Sequence, residues 1–144
     1  MSYKHTQIGY LMLFTLLAVT LLFSFVLQEV ETDLAILAFM LLILFIVASF
    51  SSLTIMVDEK YLRIKFGYGI FRKKFLLSGI TSAKTVKNHW YYGWGIRFWM
   101  FPPTWIYNVS GFDAVEIIMK DGKKYRIGTD EPKNLERAIQ QSIT

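Results

Sequence analysis

The sequence contains no cysteine in its 144 residues. This absence excludes disulfides, thiolate catalysis and metal centres with cysteine ligands. Histidine is nearly as scarce, since His5 and His89 are the only two, and neither has a partner at metal-ligand spacing. No serine or threonine stands in a recognisable nucleophile motif. We therefore expect no metal, no cofactor and no catalytic residue, and the sequence favours a protein that is not an enzyme.

Charge is missing from two long stretches in the first third of the chain. Residues 8–27 carry no charged side chain, and neither do residues 34–53. A helix of that length spans about 30 Å, the thickness of the hydrocarbon layer. The alternatives are a cleaved signal peptide, which needs a shorter apolar core and a cleavage site, and buried helices of a soluble protein. We predict a transmembrane helical hairpin within residues 1–53, followed by a globular domain at residues 54–144.

The charges around these stretches predict an orientation. The segment between them holds Glu29, Glu31 and Asp33 and no basic residue, whereas Lys4 precedes the first stretch. Residues 54–144 hold 15 Lys or Arg against 8 Asp or Glu, a net charge of +7. Basic flanks of membrane helices stay in the cytoplasm. We expect a multi-pass protein of the cytoplasmic membrane with both termini cytoplasmic.

After residue 53 the apolar pattern changes to a period of two, which is typical of strands. Residues 61–66 alternate, with Leu62, Ile64 and Phe66 on one face. Asp121-Gly122 is a hairpin turn signal between two further alternating segments, 114–120 and 123–127. Further strands are expected at residues 54–57, 70–77 and 80–87. The end is helical, because Leu135, Ala138, Ile139 and Ser142 recur at helical spacing.

Several segments of the globular part resemble the bacterial pleckstrin-homology (PH) domain family. The resemblance covers about residues 54–142 and is most specific from Gly95 onward. The segments that carry it are Gly95-Ile96-Arg97, Tyr107-Asn108-Val109-Ser110-Gly111, Ala114-Val115-Glu116-Ile117, Asp121-Gly122-Lys123, Arg126-Ile127-Gly128-Thr129-Asp130-Glu131-Pro132 and Leu135.

Members of that family often follow a transmembrane hairpin. The resemblance implies an α+β fold in which a PH-like antiparallel β-barrel or sandwich is capped by a C-terminal helix. It also implies a membrane-tethered, non-enzymatic binding or scaffolding module, and it carries no ligand onto particular positions here.

Two groups of residues are candidates for contact with a membrane or a partner. Tryptophan favours the headgroup level of a bilayer, and all four tryptophans lie within residues 90–105. Basic side chains are attracted to the anionic inner leaflet, although a solvated basic face and rings that fill the core are the alternatives. No nucleic-acid motif accompanies the basic residues. The candidates are Arg72, Lys73, Lys74, Lys84, Lys87, Trp90, Trp94, Arg97, Trp99 and Trp105.

The expected partner is therefore the lipid bilayer. An alternative function is that of a subunit in a larger membrane complex, in export or envelope-stress defence, whose hairpin packs against partner helices or a second copy of the chain.

Overall fold

The computed structural model describes residues 3–31, 33–100 and 103–143, which form an α+β fold. Strand β1 (Tyr3–Ile8) comes first, followed by helices α1 (Tyr10–Glu29) and α2 (Leu34–Ala48). The globular part continues with β2 (Ser52–Val57), β3 (Tyr61–Phe66), β4 (Arg72–Leu76), β5 (Ile80–Lys87), β6 (Gly95–Met100), β7 (Pro103–Asn108), β8 (Asp113–Met119) and β9 (Lys124–Gly128). Helix α3 (Pro132–Ile143) is the last described element.

The strands form two sheets that do not close into a barrel within the described residues. The first sheet has the order β1-β2-β3-β4, with every neighbouring pair antiparallel. The second has the order β5-β8-β9-β7-β6. In it β7 runs parallel to β9, in register from Thr104 with Lys124 to Tyr107 with Ile127. The expectation of antiparallel pairing throughout is wrong at this point. Strand β9 lies between β8 and β7, so β7 pairs with the second strand after it in the chain, and these two strands run in the same direction.

The core lies between the two sheets and beneath α3. Leu62, Ile64 and Phe66 of β3 are at most 1% exposed, as their alternation predicted. Leu135 and Ile139 of α3 are fully buried, and α3 packs mainly on β5 and β8. Each such side chain contributes about 1.5–3 kcal/mol when it leaves water. The buried apolar residues of β3 and α3, together with the C-terminal helix itself, confirm the expected α+β architecture.

Only one described helix is both long and apolar enough to cross a membrane, by the criteria of length and composition. This helix is α1, with 20 residues, whereas α2 has 15. The second predicted span, residues 34–53, is too long, because the helix ends at Ala48 and β2 begins at Ser52. No charged residue marks this boundary, although Ser49, Ser51 and Ser52 interrupt the apolar run there. Beyond it, Leu53 and Ile55 face the core between the sheets.

Strand β1 was not predicted, and it places residues before α1 in the globular part. It pairs with β2 from Tyr3 opposite Val57 to Ile8 opposite Ser52. The Tyr3 hydroxyl donates to Glu131 over 2.8 Å, and burial together with this carboxylate raises the pKa of Tyr3. As an edge strand rich in polar residues, β1 lacks the apolar alternation that reveals a strand in a sequence.

Candidate membrane-binding surface

The two helices leave the globular part from neighbouring strands, and we call their junction, Gly9 with residues 49–51, the hairpin foot. The Gly9 amide donates to the Ser51 carbonyl over 2.7 Å. A β-carbon at Gly9 would lie 2.9 Å from Cβ of Val109 and 3.1 Å from the Phe50 carbonyl oxygen. The helices are therefore attached to the sheets by a tightly packed junction, without a flexible linker.

The outer face of the first sheet carries a group of basic side chains. Residues directly opposite each other on neighbouring strands point to the same face. One cross-strand row joins Lys4, Met56, Arg63 and Lys74, and the next row joins Thr6, Thr54, Lys65 and Arg72. The hydroxyls of Thr6 and Thr54 lie 2.9 Å apart, as expected for neighbours on one face. We define the basic face as Lys4, Arg63, Lys65, Arg72 and Lys74.

A shallow depression of about 480 Å³ lies on this side of the sheet, lined by four of the five cations together with Met56, Ile64 and Lys73. Arg63 Nε lies 3.3 Å from a carboxylate oxygen of Asp58. Backbone amides of Tyr61 and Lys60 lower the pKa of Asp58, and the Arg63 charge adds to this effect. No carboxylate pairs with the other four cations within residues 3–31, 33–100 and 103–143. The face is therefore strongly positive at neutral pH.

The predicted basic run at residues 72–74 is divided between the two faces of β4. Arg72 and Lys74 belong to the basic face, whereas Lys73 lies opposite Ile64 on the other face. Its ammonium group lies 5.9 Å from the ring centroids of both Phe75 and Tyr125. The division follows from the period of two, which also places Arg63 and Lys65 outward when Leu62, Ile64 and Phe66 point inward. The alternation of β3 could therefore have identified Arg63 and Lys65 as members of the basic face, although neither was among the predicted contact residues.

The other predicted cations lie on the second sheet and have partners of their own. Lys84 lies 3.9 Å from Glu116, and Lys87 forms an ion pair with Asp113. Glu116 is also held by Arg126 at 2.9 Å. Arg97 donates from Nε to the backbone carbonyl of Trp94. The structure therefore does not bring Lys84, Lys87 and Arg97 together with the basic face.

The four tryptophans do not form one surface. Trp99 packs against the rings of Tyr91 and Tyr92 at 5.1 and 5.2 Å, whereas Trp90 is 76% exposed. The Trp94 indole donates to the Gly111 carbonyl.

Trp94 and Trp105 lie towards opposite ends of the β6–β7 hairpin. A β-carbon at Gly95, next to Trp94, would lie 4.0 Å from Met12 of α1, so this end is close to the hairpin foot. Trp105 packs on Phe98 and lines a cavity of about 420 Å³ beside the Asp121-Gly122 turn. That turn lies at the far ends of β8 and β9, away from the foot.

The comparisons with known proteins do not assign the chain to a family. No model of a known protein family matches this chain, and no curated protein matches it in sequence.

Proposed function

We propose that the chain is a membrane-anchored, non-enzymatic binding or scaffolding module of the PH-like type, at the inner face of the cytoplasmic membrane. Helices α1 and α2 form the anchor, and the two sheets with α3 form the cytoplasmic module. Its basic face contacts anionic lipid headgroups. The observation that carries this proposal is that the basic face begins directly at the hairpin foot.

Distances along the strands support headgroup contact. The row of Lys65 and Arg72 pairs with Thr54, two residues beyond Ser52, which is about 7 Å along a strand. The row of Arg63 and Lys74 lies about 7 Å further from the foot. The headgroup layer is about 5–8 Å thick on each side of the hydrocarbon, and charges act over a Debye length of about 8 Å at physiological salt. Both rows are thus close enough to interact with anionic lipid.

The energy of this contact is modest but sufficient for a tethered module. Each basic residue near an anionic surface contributes about 1 kcal/mol. Arg63 contributes less than the others because Asp58 lies 3.3 Å from it. The covalent anchor keeps the basic face at a high effective concentration beside the bilayer. Charge contact therefore orients the module on the surface and does not need to recruit it from solution.

The PH-like part of the proposal is supported by the order of elements and by the family resemblance. A four-stranded antiparallel sheet is followed by a second sheet and a C-terminal helix. Two features depart from the expected antiparallel barrel: β1 lies before the helical hairpin, and β7 is parallel to β9.

The experiment compares lipid selectivity in the full-length protein. The chain is reconstituted into bilayers of phosphatidylcholine and phosphatidylglycerol, and its preference is measured by electron spin resonance of spin-labelled lipids. We expect a preference for phosphatidylglycerol at low salt that fades at 1 M salt, where the Debye length falls to about 3 Å. The variant Lys65→Gln/Arg72→Gln/Lys74→Gln should lose most of it.

The matched control removes the same charge at the far end of the module, with Lys120→Gln, Lys123→Gln and Lys124→Gln. This variant should keep the preference. Equal selectivity for the two lipids in the parent protein at low salt would contradict headgroup contact by the basic face.

The alternative function is that of a subunit in a larger membrane complex. It is favoured by the surfaces of α1 and α2, neither of which contains a buried residue. The hydroxyls of Thr15, Thr20 and Ser24 donate to carbonyls four residues earlier, so α1 offers partner helices an apolar surface. Crosslinking in native membranes, followed by mass spectrometry, should recover such a partner or a second copy of the chain.

A further inference from the structure

We propose that the β3–β4 turn, residues 67–71, inserts its exposed apolar side chains into the bilayer interface beside α2. The inference rests on the proposed membrane anchor and names a lipid contact distinct from the basic face. Tyr68 and Ile70 are the inserting residues, and they are 60% and 53% exposed.

The turn is held firmly against the end of α2. The Gly67 amide donates to the Ser52 carbonyl over 3.0 Å, and a β-carbon at Gly67 would lie only 2.4 Å from the Ser49 carbonyl oxygen. The Tyr68 ring stacks on Phe45 with centroids 5.4 Å apart and planes inclined by 21°. The position of the turn relative to the helix is therefore set by backbone and ring contacts together.

These contacts place Tyr68 at the level of the apolar helix. Phe45 comes three residues before the end of α2 at Ala48, which is about 4.5 Å along the helix axis. A side chain stacked on Phe45 therefore lies beside lipid when α2 is in a bilayer. Tyrosine suits this level, because its ring is apolar and its hydroxyl reaches the headgroups.

The length of α2 gives an independent reason for insertion. Its 15 residues extend about 22 Å, roughly 8 Å short of the hydrocarbon thickness. A short apolar segment must be compensated by local bilayer thinning or by neighbouring apolar groups. The exposed side chains of Tyr68 and Ile70 are such groups, and the stacking of Tyr68 on Phe45 places them beside the last turn of α2.

The charge pattern around the turn also fits an interface. Residues 67–71 carry no charge, and the nearest cations on either side, Lys65 and Arg72, form the first row of the basic face. An apolar tip flanked by long basic side chains is typical of segments at the membrane surface, where cations extend to the headgroups.

Single-cysteine labelling tests the proposal, because the chain has no cysteine of its own. The full-length Ile70→Cys protein is labelled with the environment-sensitive fluorophore NBD and reconstituted into phosphatidylcholine vesicles. The matched control is Leu76→Cys, which is 45% exposed at the opposite end of β4. Thermal unfolding of both variants in detergent verifies that each is folded.

We expect blue-shifted emission from the label at residue 70, with several-fold stronger quenching by brominated lipid than at residue 76. The label at residue 76 should be quenched by aqueous iodide. Iodide quenching at residue 70 equal to that at residue 76 would overturn the proposal. Protection of residue 70 from both quenchers, as contact with a second copy of the chain would give, would also overturn it.

The choice of lipid separates this test from the test of the basic face. Phosphatidylcholine bilayers carry no net charge, so insertion of the turn is measured without help from headgroup attraction. A water-exposed label at residue 70 in a protein that still prefers phosphatidylglycerol would refute turn insertion alone. A lipid-exposed label without that preference would refute the basic-face contact alone.

Discussion

At the scale of single residues, Gly67 connects the β3–β4 turn to the end of α2. It has φ +46°, in the left-handed region, and a β-carbon added there would lie 2.4 Å from the Ser49 carbonyl oxygen. Gly111 also has a positive φ, +71°, but a β-carbon there would have open space within 4 Å. The two glycines thus separate the effect of backbone conformation from the effect of close packing.

We predict that Gly67→Ala destabilises the protein much more than Gly111→Ala. The strained backbone costs about 1–2 kcal/mol at either position, whereas only position 67 adds a clash with a backbone oxygen. Thermal unfolding of both full-length variants in detergent measures the difference. Equal decreases in Tm would mean that the turn is not held against Ser49.

Only two of the five residues of the basic face were among the contact candidates predicted from the sequence. Arg72 and Lys74, two of the predicted contact candidates, lie on the basic face, but their neighbour Lys73 lies on the other face of β4. Whether Arg72 and Lys74 bind lipid stays a prediction. The alternation of β3 predicts that Arg63 and Lys65 face outward. The position of Lys4 could not be predicted in this way, because β1 is recognisable only through its pairing with β2.

At the scale of elements, α3 covers the core, packing mainly on β5 and β8 and also contacting β2. Leu135 and Ile139 are fully buried, while Glu136 on the neighbouring face accepts hydrogen bonds from the backbone and hydroxyl of Thr85. These bonds lower the pKa of Glu136, with the hydroxyl contributing most. The helix is therefore joined to β5 by apolar packing and by polar contacts at its edge.

We predict that Leu135→Asp unfolds or severely destabilises the globular part, by about 4 kcal/mol or more, because it buries an unpaired charge. Asn134→Asp adds the same charge at an exposed position one residue away and should have little effect. Tm values of the two full-length variants measure the contrast. A Leu135→Asp protein that melts like the parent would show that α3 does not cover the core.

Strand β1 is an edge strand of the first sheet, so the globular part is incomplete without it. A fragment that begins at residue 54 would lack β1 and the first residues of β2, and would leave β2 with an unpaired edge. It would also lose the contact between His5 and Asp130 at 2.5 Å. The fold of the globular part therefore depends on residues that precede α1.

At the scale of the whole molecule, the pairing of β1 with β2 places two distant segments at one end of the helical hairpin. Residues 3–8 and the sheets lie at the hairpin foot, whereas the acidic connection around Glu31 lies at the other end. If the hairpin spans the membrane, the sheets and the connection face opposite compartments. The proposed orientation assigns the sheets to the cytoplasm.

We predict that Glu31→Cys reacts with a membrane-impermeant thiol reagent in intact cells, because the acidic connection faces outward in the proposed orientation. Asp121→Cys, at the exposed β8–β9 turn, should react only after lysis. Labelling is detected by a mass shift on gels, and the parent chain is the blank because it has no cysteine. Reaction of Asp121→Cys in intact cells would reverse the proposed orientation.

Local sequence patterns determined several parts of this protein without help from tertiary structure. The charge-free run of α1, the inward stripes of β3 and α3, and the turn at Gly122, with φ +87°, were all readable. Each depends on interactions within a few residues: helix length, side-chain period, or the freedom of glycine to adopt a positive φ.

Tertiary structure decided where α2 ends, that β1 exists, and that β7 pairs in parallel with β9. The absence of charge does not show whether lipid or a facing sheet covers a residue, so the uncharged run from residue 34 to residue 53 includes both the helix and the start of β2. A polar edge strand gains its conformation from hydrogen bonds to a distant partner. Only pairing between segments far apart in the chain brings Lys4 into one cross-strand row with Lys74, and Tyr68 beside Phe45 near the end of α2.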